Sequence, residues 1–353
     1  SLVVQVGAFV KLYARMKEIL WTFLLITASH ASRVVREHRC ISPASEDMCI
    51  LQEVFYNRST TDSVFPQNYS HIHIGSDTTR TFQSLVPLLD GQLFRELGEP
   101  QALELTNVKL KTLEIPRKLV LGNFVDNSLR EFWLEPGEMA PALSYLDLSR
   151  NEVSNLTNIS SLVNLETLCM VGNEIEHIAP NTFAGLTKLK MLNLNHNDLK
   201  MIHGADLPTS LIWIRLADNS LESLDAAELK LPLLEYMDIS NNHLTTLNGA
   251  ELIMDKPNLR EVLFGGNRFD LAMVQKVTEL FQRHNVSYTL LDDTEDNEFM
   301  HCDHRSTLVN GVCVQRDQIP NSWLKSTGLS VLTVLVAALF GMVVRWVFLA
   351  MSK

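Results

Sequence analysis

Between residues 100 and 269 the apolar and polar positions recur in one phase, with the template L-x-x-L-x-L-x-x-N-x-L. Five copies are clear: 143–153 (LSYLDLSRNEV), 165–175 (LETLCMVGNEI), 189–199 (LKMLNLNHNDL), 211–221 (LIWIRLADNSL) and 234–244 (LEYMDISNNHL). A sixth, 259–269 (LREVLFGGNRF), carries conservative changes, a seventh, 119–129, has Gly122 where Leu belongs, and an eighth, 100–110, has Val108 in place of Asn. The copies begin 19–25 residues apart. Self-similarity at such a period predicts stacked coils, since no single repeat can bury its own apolar face. Within each copy the x-L-x-L-x stretch predicts a short strand whose Leu side chains point inward and whose alternate residues point outward. The Asn falls where the chain turns in, and an amide side chain can both donate to and accept from the backbone groups the turn buries. Asn127, Asn151, Asn173, Asn197, Asn219, Asn242 and Asn267 are therefore expected to form a structural ladder.

The expected fold is an α/β solenoid, a horseshoe lined by a parallel concave sheet and closed by caps at both ends. On the N-terminal side, Cys40 and Cys49 enclose a short loop, and residues 71–97 read as a cap strand followed by a degenerate first coil. On the C-terminal side, Asp270 is a helix N-cap, and Leu271, Val274, Val277, Leu280 and Phe281 share one face of the helix after it. Cys302 and Cys313 would close a small loop beyond that helix.

The chain's ends depart from this pattern. Residues 19–28 (ILWTFLLITA) follow Met16 and Lys17 and precede Ser29-His30-Ala31, the layout of a signal peptide over 16–31, with 1–15 an upstream extension. The competing reading is one structured hydrophobic segment over 1–31. Residues 327–344 (TGLSVLTVLVAALFGMVV) carry no charge and predict a single transmembrane helix over 327–346, with Arg345 and Trp346 at the interface and a short tail at 347–353. A buried core helix, or a lipid-anchor signal with Asn321-Ser322 as its site, are the alternatives. The expected order is thus a cap region at 32–99, about eight coils at 100–269, and a cap helix with stalk at 270–326. The route implied is the secretory one, ending in a single-pass protein at the plasma membrane with its repeats outside. Cys40–Cys49 and Cys302–Cys313 would form disulfides there, leaving Cys169 over.

A formal net charge of −11 argues against nucleic acid, which needs clustered Lys and Arg. The sequence holds no H-E-x-x-H, G-x-S-x-G or G-x-x-x-x-G-K motif, so no enzyme is expected, and no cofactor. His301-Cys302-Asp303-His304 reads better as a disulfide cysteine among solvated polar residues than as a metal cluster. The concave face is the candidate site. Its first outward column is Leu121, Tyr145, Thr167, Met191, Trp213, Tyr236 and Glu261, and its second is Asn123, Asp147, Cys169, Asn193, Arg215, Asp238 and Leu263. Tyr145, Trp213 and Tyr236 with Asp147, Arg215 and Asp238 make an aromatic and charged strip of the kind that anchors protein interfaces. The bland reading is that aromatics simply favour strands. The glycosylation sequons, at Asn57, Asn68, Asn155, Asn158 and Asn285, all avoid the strand face.

With LDLSRN- and LNLNHN-type cores, a Cys-bearing segment after the last coil and one terminal apolar run, the chain resembles extracellular leucine-rich-repeat proteins. More narrowly it is similar to the transmembrane subclass of mosquito leucine-rich-repeat immune proteins. It lacks the heptad coiled coil of the long members of that group, which puts their heterodimer role aside. The resemblance implies innate immunity at a cell surface, by binding an extracellular protein or a microbial surface ligand, with a dimer through Cys169 or the concave face as a further expectation. A cell-adhesion or developmental role is the alternative.

Overall fold

The computed structural model describes residues 36–41, 47–57, 63–76, 83–289, 306–309 and 312–315. The expected signal peptide, membrane span and Cys302 lie outside these residues. Among the described residues no helix is long and apolar enough to cross a membrane.

One parallel sheet of eleven strands runs through the molecule, and its spatial order is the order along the chain. The strands are β1 (Met48–Leu51), β2 (His71–Gly75), β3 (Ala102–Thr106), β4 (Leu121–Asn123), β5 (Tyr145–Asp147), β6 (Thr167–Cys169), β7 (Met191–Asn193), β8 (Trp213–Arg215), β9 (Tyr236–Asp238), β10 (Glu261–Leu263) and β11 (Ser287–Thr289). Each coil contributes one strand, so every crossover is one turn of the solenoid. The pairing keeps one register throughout: Tyr145, Thr167, Met191, Trp213, Tyr236 and Glu261 stand side by side, as do Asp147, Cys169, Asn193, Arg215, Asp238 and Leu263. Between them Leu146, Leu168, Leu192, Ile214, Met237 and Val262 point inward, each fully buried.

The sheet begins earlier than the template does. β1 and β2 extend it toward the N-terminus, with Cys49, Leu51, Ile72 and Ile74 inward and fully buried. The stretch expected to be a cap strand is thus a full member of the concave sheet. Cys49, on the core side of β1, is disulfide-bonded to Cys40. Behind the first coils lies a second parallel sheet, formed by Leu88–Leu89, Thr112–Ile115 and Glu131–Leu134.

Among the described residues helix is scarce: α1 (Gly91–Glu96), α2 (Gly249–Met254) and the longer α3 (Leu271–Arg283). Coils of 22–25 residues leave room for turns and single 3₁₀ turns, such as Ile159–Ser161, rather than full helices. Asp270 caps α3 by accepting from the Met273 N–H at 2.7 Å, and Leu271, Val274, Val277 and Phe281 are buried against the last coil.

Each ladder asparagine clamps two coils. Asn151 accepts from the Leu129 N–H of the preceding coil at 3.0 Å and donates to Phe124 O there and to Leu148 O of its own coil, both at 2.9 Å. Asn197, Asn219, Asn242 and Asn267 repeat this arrangement, and Asn173 bridges Val153 N–H and Leu148 O. Asn127 accepts from both Val108 and Leu110, so the coil without its own Asn is still held from the next one. The residue before each ladder asparagine is left-handed, with φ of 52–65° at Asp126, Arg150, Gly172, His196, Asp218, Asn241 and Gly266. Gly266 is needed for a second reason: a Cβ there would stand 1.9 Å from Asn241 Oδ1.

Two departures from the template have physical resolutions. Gly122 stands where Leu belongs because the Phe124 ring of the same coil occupies the space, 2.7 Å from where a Cβ would be. Lys256 stands three residues before a template Leu, where Leu162, Leu186 and Leu231 stand in other coils, and it is only 1% exposed. Its Nζ donates to Ala226 O at 3.2 Å. Burial pushes the amine below the ordinary lysine range, against the opposing pull of Asp255 and Glu251. The folded state therefore releases its proton at lower pH than the unfolded chain, and stability rises as pH climbs from that depressed value toward the usual lysine value near ~10.4. Replacing Lys256 with Met is expected to stabilise the protein by about 1 kcal/mol at neutral pH. It should also flatten that alkaline rise, as urea denaturation at pH 7 and pH 10 would measure.

Candidate functional site

The outward side chains of the concave sheet divide into three groups. At the C-terminal end, Trp213 of β8 stacks on Tyr236 of β9 with ring centroids 4.7 Å apart and planes 21° from parallel. The Arg215 guanidinium sits over the same Tyr236 ring, 5.3 Å from its centroid. Trp213 is 37% exposed and its neighbour Met191 36%, whereas Tyr236 is 8% exposed. Parallel register sets Met191, Trp213 and Tyr236 side by side as cross-strand neighbours, and Arg215, two residues on from Trp213 in β8, reaches Tyr236 diagonally. Asp238 points outward yet is 7% exposed, accepting from Ser240 N–H at 3.1 Å and Ser240 Oγ–H at 2.6 Å. Of the six residues expected in the strip, Tyr236 and Asp238 are thus buried, and Tyr236 is the floor on which Trp213 and Arg215 rest.

In the middle, Tyr145 donates to Asp147 Oδ2 at 3.3 Å, and Asp147 Oδ1 accepts the Ser149 N–H at 2.8 Å. Burial first, then the Asp147 charge and Cys169, push the Tyr145 phenol up to about 12. Cys169 is a free thiol beside them. Burial and Asp147 push it up to about 11 against a smaller opposing effect of Arg215. Two units above its ordinary value leave roughly 100-fold less thiolate, the species that reacts. Cys169 is expected to resist iodoacetamide at pH 7.5 until the protein is unfolded, and a non-reducing gel should show no link through it. That outcome would remove the thiol route to a dimer.

At the N-terminal end the structure adds a group that the template left out. His71 Nε2 lies 2.5 Å from Glu104 Oε1, His73 Nδ1 lies 3.5 Å from Glu104 Oε2, and Asn123 Nδ2 donates to Glu104 Oε2 at 3.2 Å. The available signal was the alternation in His71–Gly75 (HIHIG), which sets both imidazoles on one face.

The five sequon asparagines are all exposed and lie off the concave sheet. Asn158 donates from Nδ2 to Phe132 O at 2.7 Å, a bond that a sugar on that nitrogen would disturb.

A parallel ladder of one-strand coils pinned by buried asparagine is the leucine-rich-repeat fold, and the leucine rich repeat family model matches residues 141–199. Osteomodulin of Bos taurus is 33% identical over 151 residues, covering 41% of this chain and 34% of that protein. Lumican of Mus musculus is 28% identical over 144 residues, covering 40% of this chain and 41% of that one. The chain therefore spans well under half the length of these relatives. Among solved structures, an internalin from Listeria monocytogenes is 19% identical and covers 67% of this chain and 69% of that one, with a TM-score of 0.43. The leucine-rich-repeat relatives are non-enzymatic. The relation established is to leucine-rich-repeat proteins broadly, and it does not single out the mosquito immune proteins.

Proposed function

We propose that this chain is an extracellular binding protein, held at a cell surface, whose concave face captures a protein ligand around Met191, Trp213 and Arg215. The observation that carries this reading is the exposed Trp213 indole, already fixed by stacking on buried Tyr236. A rigid aromatic beside an exposed methionine and an arginine has the composition of an interface centre, and it loses little conformational entropy on docking. Exposure of all five sequons away from the sheet is consistent with sugars leaving that face clear. The uncharged run at 327–344 supports attachment to a membrane.

The role we favour is innate immune recognition of a protein or microbial surface, on the strength of the repeat cores LDLSRN and LNLNHN. Adhesion between cells is the second reading, and clustering of cells that display the chain would favour it. The test compares capture of surface and secreted proteins by the wild-type chain, Trp213→Ala and Met254→Ala. Met254 is 78% exposed on α2, away from the sheet, and serves as the control. Loss of a centre residue is expected to cost about 2 kcal/mol or more, roughly a 30-fold fall in affinity, with the control unchanged. Equal capture by Trp213→Ala and wild type would remove the concave strip as the site.

A further inference from the structure

We propose that His71, His73 and Glu104 form a binding site for a transition-metal ion, Zn²⁺ foremost, on the N-terminal part of the concave face. His71 and His73 are two apart on β2, so both rings leave the same side of the sheet, and the register sets Glu104 of β3 directly opposite His73. Two imidazoles and one carboxylate are a donor set that suits Zn²⁺, and three protein ligands leave a fourth position open.

The distances are close to what such an ion requires. Metal–ligand bonds near 2.1 Å at tetrahedral angles place neighbouring donor atoms about 3.4 Å apart. His73 Nδ1 and Glu104 Oε2 are already 3.5 Å apart. His71 Nε2 and Glu104 Oε1 are hydrogen-bonded at 2.5 Å and would have to open by about 1 Å, within reach of a carboxylate on three rotatable bonds. Among the described residues no three such groups already stand at metal-binding spacing, so Glu104 has to shift off His71 before an ion is held.

The surroundings support the same assignment. Thr106 Oγ1 lies 3.3 Å from His73 Nε2, steadying the ring with Nδ1 toward Glu104, and Asn123 Nδ2 orients the carboxylate. Such outer contacts fix the ring orientation of metal-binding histidines. The outward positions of β1 to β5 carry Glu104 and Asp147 but neither Lys nor Arg, a field that favours a cation. The three side chains remain 20–29% exposed, so the fourth position faces the open concavity, where water or a group from a docked ligand could complete the shell.

The test is titration of the tag-free full chain with Zn²⁺, and with Co²⁺ as a spectroscopic probe. One Zn²⁺ equivalent should bind at pH 7.5, with four-coordinate Co²⁺ absorption and no thiolate-to-metal band. His71→Ala, His73→Ala and Glu104→Gln should each weaken binding by at least ~10-fold, and Thr106→Val by about 10-fold. Zn²⁺ binding by a folded His71→Ala/His73→Ala double variant equal to that of wild type would overturn the proposal. So would equal occupancy by Mg²⁺ or Ca²⁺. Should the histidine variants fail to fold, the wild-type Co²⁺ spectrum decides, and its absence overturns the site.

Discussion

Replacing Phe264 with alanine is expected to cost about 4 kcal/mol, the range for deleting a fully buried phenyl ring. Phe264 follows β10 in the last template coil and is fully buried. Its ring centroid lies 5.9 Å from those of Phe269 and Phe281 and 6.3 Å from that of Tyr288, meeting Phe281 edge-on at 84°. Those partners come from the coil itself, from α3 and from β11, so one ring joins the solenoid to its C-terminal cap. A solenoid is stabilised by neighbour contacts, and an end coil has a coil on one side only. The loss should therefore act locally first. Hydrogen exchange should show lost protection across 261–289 at denaturant concentrations that leave β5 to β8 protected. Phe264→Leu keeps most of the volume and should cost about 1 kcal/mol. If Phe264→Ala lowered stability by under ~1 kcal/mol with exchange at α3 unchanged, the aromatic cluster would not be what holds the cap.

The central coils were legible because template and physics agree there: Leu at alternate strand positions must be buried, and an in-phase Asn has one plausible use. The first two strands were harder to read. β1 and β2 show the inward–outward alternation, but no Asn follows them at the template spacing, so nothing tied them to the repeat. The left-handed residue before each ladder asparagine is Asp, Arg, Gly, His, Asp, Asn and Gly in turn, and all but Arg150 are of types that favour that conformation. Burial of Tyr236 and Asp238 was hidden. Alternation says which side a residue faces, whereas exposure depends on the neighbouring strands, here the indole of Trp213 lying over Tyr236. The histidine pair escaped notice because its third member, Glu104, lies 33 residues from His71 and meets it only through strand register.

Asn197→Ala is expected to cost about 3 kcal/mol, and Asn197→Asp at least as much at pH 7. Asn197 is 7% exposed; Oδ1 accepts from the Ile175 N–H at 3.1 Å, and Nδ2 donates to Met170 O at 2.9 Å and Leu194 O at 3.1 Å. Alanine removes the partner of the buried Ile175 N–H and the donor to Met170 O at once, and no water-sized polar replacement comes with it. Leu194 O suffers less, since it also accepts from Asn219 Nδ2 at 2.9 Å. Aspartate keeps the acceptor for Ile175 but turns an oxygen toward carbonyls that had received an N–H. The buried carboxylate would then be charged among acceptors, so its folded-state pKa should rise above the ordinary value near ~3.9. Sign follows from linkage: the folded form binds the proton more readily, so the variant's deficit relative to wild type should shrink as pH falls through that raised value, where one oxygen becomes a donor again. The alanine variant has nothing to titrate and should show no such recovery. Urea denaturation of the three proteins from pH 7 to pH 4 separates the cases. A deficit under ~1 kcal/mol for Asn197→Ala would mean that stacked leucines alone hold neighbouring coils in register, and that the asparagine column is incidental.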